Sequence, residues 1–125
     1  MKTDTTNEVA PTKTTMNPQE INRRIAIACG WYVLPNGFPS ELWEHPSGKR
    51  AYESDFNYHG DLNAMHEAEK VLLKHGWLTY IDWLVYIMFG KQDIPSIYYG
   101  NILHATAAQR AEAFLRTIGQ WEEAE

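Results

Sequence analysis

Residues 41–56 read ELWEHPSGKRAYESDF, and this stretch decides between an all-helical chain and a mixed one. His45-Pro46-Ser47-Gly48 is a turn signal with Pro at the second position and Gly at the fourth, the placement a type I turn prefers. Segments 41–44 and 49–56 then pair as an antiparallel hairpin, with Trp43, Tyr52 and Phe56 as the sheet-forming side chains. Upstream, Pro35-Asn36-Gly37 marks a further turn in a region where aromatics alternate with turn formers.

Helical patterns surround this hairpin. Asn17-Pro18-Gln19-Glu20 offers an N-cap, a Pro at the first helical position and a Glu able to reach back to the cap amide. Ile21, Ile25 and Ala28 form one stripe with Ile27 beside it, and Gly30 ends a helix expected over 18–29. Asp61 opens DLNAMHEAEKVLLKHG, whose stripe runs through Leu62, Met65, Ala68 or Glu69, Leu72 and Leu73 to Lys74-His75-Gly76. A third helix is expected from a cap at Thr79 to Asp82, burying Ile81, Leu84, Val85 and Met88 before Gly90. Trp77, Tyr80, Trp83, Tyr86 and Ile87 make it apolar nearly all round, so it is either central to the core or meets a partner. Residues 91–105, with Pro95 and Tyr98-Tyr99, read as a loop with one short extended piece. Thr106 and Gln109 form a capping box, and Ala111, Phe114, Leu115 and Ile118 repeat at helical spacing until Gly119. The expected class is α+β, with about four helices packed on a short antiparallel hairpin.

The 125 residues suit one domain, expected over 17–121, after a flexible Thr-rich tail at 1–16 and before an acidic end at 122–125. Cys29 is the sole cysteine, which excludes an internal disulfide and points to the cytosol. No apolar run is long enough for a membrane span or a signal peptide. A net charge of −5 argues against direct nucleic-acid binding.

Chemistry finds little footing. His45, His59, His66, His75 and His104 lack ligand spacing, so no metal and no cofactor is expected. Ser40, Ser47, Ser54 and Ser96 lie outside any nucleophile elbow, and Cys29 reads as a small buried hydrophobe. Glu67 and Glu69, two apart on a helix, read as a solvated face. An enzyme is not expected.

Five Trp and seven Tyr are the unusual feature. They suit core packing, a protein-binding patch, or a base-stacking pocket with Arg23, Arg24, Lys49 and Arg50 holding phosphate. The candidate binding residues are Trp43, Arg50 and Tyr52 on the hairpin, and Tyr80, Trp83 and Tyr86 on the aromatic helix.

Residues 61–69, DLNAMHEAE, following Asp55-Phe56-Asn57-Tyr58, and residues 105–121, ATAAQRAEAFLRTIGQW, carry a resemblance. They are similar to motifs of small tailed-phage and prophage proteins of the phage ABA sandwich domain family, and the helix from Asn17 to Trp31 fits the start of those proteins. The resemblance implies an α-β-α sandwich and supplies no catalytic site. It does not extend to the Thr-rich tail or to 77–103. It directs the functional expectation to a phage accessory protein that binds and inhibits a host protein in the bacterial cytoplasm, such as a nucleic-acid-processing defence complex. Glu41, Glu44, Glu53, Asp55 and residues 122–125 are the candidate acidic contacts. The alternatives are a small-ligand binder that sequesters a signalling nucleotide, and a structural virion protein. A homodimer is the first expectation for covering the aromatic helix.

Overall fold

A computed structural model describes residues 16–35, 37–90 and 96–123. The Thr-rich segment before Met16, Asn36, Pro95 and the last two residues lie outside the described residues. The fold is a small α+β one, as expected: four α-helices and a three-stranded antiparallel sheet.

Helix α1 (Pro18–Ala28) starts where Asn17 accepts a hydrogen bond from the Glu20 amide at 2.8 Å. The Glu20 side chain bonds Arg24 one turn on, at 2.8 Å. The expected stripe holds at Ile21 and Ile25, with Ala28 partly buried against the core, but the buried flank is Ala26 and Ile27 is exposed. Strands β1 (Tyr32–Val33), β2 (Leu42–Glu44) and β3 (Arg50–Tyr52) form a meander in which β2 pairs with both neighbours. The His45 carbonyl accepts from Gly48 N–H at 2.8 Å, closing the turn between β2 and β3, and Gly48 sits at φ +98°. Residues 53–55 leave the expected second strand for a 3-10 turn, Glu53–Asp55, because the Asp55 carboxylate accepts from the Tyr52 amide.

Helix α2 (Leu62–Glu69) is capped by Asp61, whose carboxylate accepts from the amides of Asn63 and Ala64. It tightens into a 3-10 turn at Lys70–Leu72, which leaves Leu73 exposed instead of on the stripe. Helix α3 (Trp77–Phe89) has Gly76 as its N-cap with no side-chain cap bond, three residues before the expected cap at Thr79. Gly76 stands at φ +90°, and a Cβ there would sit 3.1 Å from the Thr117 methyl, so glycine sets this start. Residues 96–104 form a 3-10 helix, Ser96–His104, where a loop is expected, and the 91–95 part of that loop lies outside the described residues. Helix α4 (Ala107–Thr117) carries the full Thr106/Gln109 capping box.

Helix α4 is the hub and packs against α1, α2 and α3. It alone buries Ala111, Ala113, Phe114 and Leu115 completely, against Ile25, Met65, Tyr80 and Leu84. Met16, grouped with the tail by sequence, is partly buried against this core. At the other end, Glu122 and Glu123 pair with Arg24 and Arg116. Among the described residues no helix is long and apolar enough to cross a membrane.

Candidate functional site

The sheet divides the hairpin candidates between its two sides. Opposed residues in an antiparallel pair share a face, so Tyr32, Glu44 and Arg50 line up on one side with Leu42 and Tyr52, while Val33, Trp43 and Ala51 point to the other. Trp43 is 1% exposed, packed edge-on against Phe56 with Arg23 over its ring, and its indole donates to Glu53 Oε1 at 3.3 Å. It is therefore a core residue and not a contact residue, correcting its place among the binding candidates. Arg50 and Tyr52 are exposed on the opposite face. Sequence reading missed their neighbours: Tyr32, whose hydroxyl donates to Glu44, and Phe38, whose ring lies 5.3 Å beneath the Arg50 guanidinium. Arg50 Nε also lies 3.7 Å from Glu44 Oε2, so the guanidinium is held between an aromatic ring and a carboxylate.

Helix α3 separates its candidates likewise. Tyr80 is 0% exposed, and its hydroxyl donates to Glu69 Oε2. Burial, reinforced by that carboxylate, raises the Tyr80 pKa far above the ordinary tyrosine range. Glu69 is itself buried and receives Arg110 Nη1 at 2.9 Å. It is thus a core acid and not part of a solvated face, whereas Glu67 is exposed beside Lys70. His66 adds a contact to Glu69 Oε1 at 3.1 Å. Trp83 is half-buried, with Arg116 4.9 Å above its ring and Trp121 on the same guanidinium at 5.5 Å. Tyr86 remains exposed. The chain itself thus covers most of α3, and the large apolar side chains left exposed on it are Leu78 and Tyr86. The need for a dimer to cover this helix shrinks accordingly.

A cleft of about 450 Å³ opens between the hairpin turn and α2. Trp31, Phe56 and Tyr58 are its aromatic lining, and Ala64 and Ala68 of α2 and Val71 of the following 3-10 turn line it as well. His45 is fixed at one edge: Ser47 N–H donates to Nδ1 at 3.1 Å, so Nε2 carries the proton and donates to the Cys29 carbonyl at 3.0 Å. Ser47 Oγ lies 2.9 Å from the same Nδ1, but the lone pair there already receives the Ser47 amide. The contact locks the turn and does not activate the hydroxyl. Gly30, at φ +105°, lets His45 approach, since a Cβ there would lie 3.3 Å from Nε2. Burial pushes the Cys29 thiol up to about 11, the opposite of a reactive thiolate.

The phosphate-holding set does not converge. Arg23 covers Trp43, Arg24 bonds Glu20, the Gln120 carbonyl and Glu122, and Arg50 covers Phe38, while Lys49 lines the cleft. The acidic contacts are similarly committed: Glu44 to Arg50 and Tyr32, Glu53 to Trp43 and Gln19, Asp55 to the Tyr52 amide. Glu41 is exposed at the hairpin end. Among the described residues no group of three or more His, Cys, Asp or Glu is placed to hold a metal ion. No protein family, no curated protein and no solved structure matches this chain.

Proposed function

We propose that this is a non-enzymatic binding protein whose open sheet face docks a host protein. The observation that carries the reading is the gathering of Tyr32, Phe38, Arg50 and Tyr52 on one exposed surface, backed by the buried Trp43. Tyr and Arg are enriched among the residues that dominate interface energetics: Tyr buries much area at low cost in conformational freedom, and the larger freedom that Arg loses is in part already restricted where Arg50 sits between Phe38 and Glu44. The motif resemblance supports a phage origin, with a defence complex of the infected bacterium as the partner class. The two resembling stretches contain Glu69 and Arg110, which brace the interior. They therefore speak for the scaffold, and recognition falls to the sheet that precedes both in the chain. With Arg23, Arg24, Lys49 and Arg50 dispersed, a multi-phosphate nucleotide clamp is less well supported than protein docking.

The test places the protein in bacteria carrying an active defence system and measures phage plating efficiency beside photocrosslinking from position 38. Wild type should restore plating and crosslink one host protein. Tyr52→Asp and Arg50→Glu should lose both at unchanged thermal stability, and full activity in both variants would overturn the reading.

A further inference from the structure

We propose that the cleft between the start of α1 and the 3-10 turn after β3 binds a small hydroxylated amine of the amino-sugar class. Its volume of about 610 Å³ lies within the range of small-molecule sites. Gln19 and Asn22 line it from α1, and Glu41, Glu53, Ser54 and Asn57 line it from the hairpin end and the chain that follows. Phe56 also lines it but is 9% exposed, so it offers little surface to stack on and recognition there is polar. The polar groups are half used. Asn22 Oδ1 accepts from the His59 amide at 2.8 Å and Asn57 Oδ1 from the Gly60 amide at 3.1 Å, which leaves both carboxamide nitrogens to donate. Gln19 is the reverse: its nitrogen donates to Glu53 Oε2 at 3.2 Å, and its oxygen is left to accept. A sugar hydroxyl donates and accepts at once, which suits a lining with unused groups of both kinds.

The charge selects an amine. Glu53 accepts from the Trp43 indole N–H at 3.3 Å and from Gln19 at 3.2 Å, and both donors are neutral, so its carboxylate keeps its charge. The Glu53 amide donates to the Glu41 carbonyl at 2.8 Å, which holds the two acidic residues side by side across the hairpin. Neither carboxylate forms an ion pair among the described residues. Arg23, next to Asn22 on α1, stacks over Trp43 and offsets at most one of the two charges, while Lys49 lines the other cleft. The balance is negative, and one ammonium answers it. Glu53 is already fixed by two hydrogen bonds, so little ordering of that group remains on binding. This site shares no residue with the exposed aromatic cluster of Tyr32, Phe38, Arg50 and Tyr52, so the two readings stand or fall separately.

The test titrates the protein at fixed ionic strength with glucosamine, glucose, N-acetylglucosamine and cyclohexylamine, followed by the side-chain indole resonances of its five Trp. Glucosamine should saturate with a Kd of about 1 mM, the ordinary reach of a ligand this small, and shift Trp43 through Glu53 while leaving Trp83 and Trp121 in place. Glucose and N-acetylglucosamine, which lack the cation, should bind about fivefold more weakly, and so should cyclohexylamine, which lacks the hydroxyls. Glu41→Gln, at an exposed position where folding is safe, should reduce the preference for glucosamine over glucose about twofold, and adding Glu53→Gln should abolish it. Ser54→Phe, also exposed, should weaken every probe about tenfold by filling the cleft. A glucosamine disaccharide that binds more tightly than the monosaccharide assigns the ligand to a glycan, and one that binds no better assigns it to a free sugar. No saturable Trp43 shift, glucose or cyclohexylamine binding as tightly as glucosamine, or an unchanged preference in Glu41→Gln would overturn the proposal.

Discussion

Arg110 and Glu69, on different helices, meet inside the protein with Nη1 2.9 Å from Oε2 and side chains 8% and 9% exposed. Nε donates to the Ala105 carbonyl at 3.1 Å and Nη2 to those of Ile102 and Leu103 at 3.2 and 3.1 Å, and Tyr80 donates to the same carboxylate oxygen. One ion pair therefore ties α2, α3, α4 and the 3-10 segment together.

Removing either partner strands a buried charge. Arg110→Met and Glu69→Leu are each expected to cost about 3 to 5 kcal/mol, while the double variant should recover much of that loss. Urea denaturation of the four proteins measures the coupling, and additive losses would show that the pair does not act as a unit.

Leu115 is fully buried mid-helix on α4, so Leu115→Ala should cost about 2 to 5 kcal/mol through the cavity it leaves. Thr106→Ala removes the bond to the Gln109 amide at 3.0 Å and should cost about 0.5 to 2 kcal/mol. Denaturant midpoints at equal slopes give the order, which must favour the cap variant.

The two sheet faces should respond oppositely to substitution. Trp43→Ala is expected to destabilise by about 3 to 5 kcal/mol. Tyr52→Asp should change stability by no more than about 0.5 kcal/mol while abolishing partner binding. Thermal melts beside a binding assay separate the two effects.

Alkaline pH should unfold the protein progressively. Burial holds the Cys29 thiol at about 11 against an ordinary 9.0, and burial likewise raises Tyr58 and Tyr80. Each group keeps its proton more tightly folded than unfolded. The stability this supplies is complete below pH 9 and drains away as the pH climbs through 11. The denaturant midpoint should fall across that window, and less steeply in Cys29→Ala. A midpoint that stays level would refute the burial of these groups.

What the sequence determined by itself is what neighbours along the chain can settle. The Asn17 cap, the Thr106/Gln109 box, the glycine stop at Gly90 and the turn closed by His45 and Gly48 depend on backbone groups a few residues away, and each is present. The α+β class followed from that turn and from the helical spacings around it. Arg110 left a trace, since a charged residue four before Phe114 falls on the apolar stripe. Its partner, 41 positions away, left only the choice of Ala68 or Glu69 on the stripe of α2, and nothing local joined it to Arg110. The facing of α3 was equally undecidable locally, because a helix apolar nearly all round has no phase to read. The Glu69 carboxylate and the surface of α4 chose Tyr80, Leu84 and Val85 for the interior. Trp43 and Tyr52 are both sheet-forming aromatics, and only the packing of one sheet face against the core made the first a buried residue and the second a surface one. Burial depends on what arrives from distant parts of the chain, and that is a property of the tertiary structure alone.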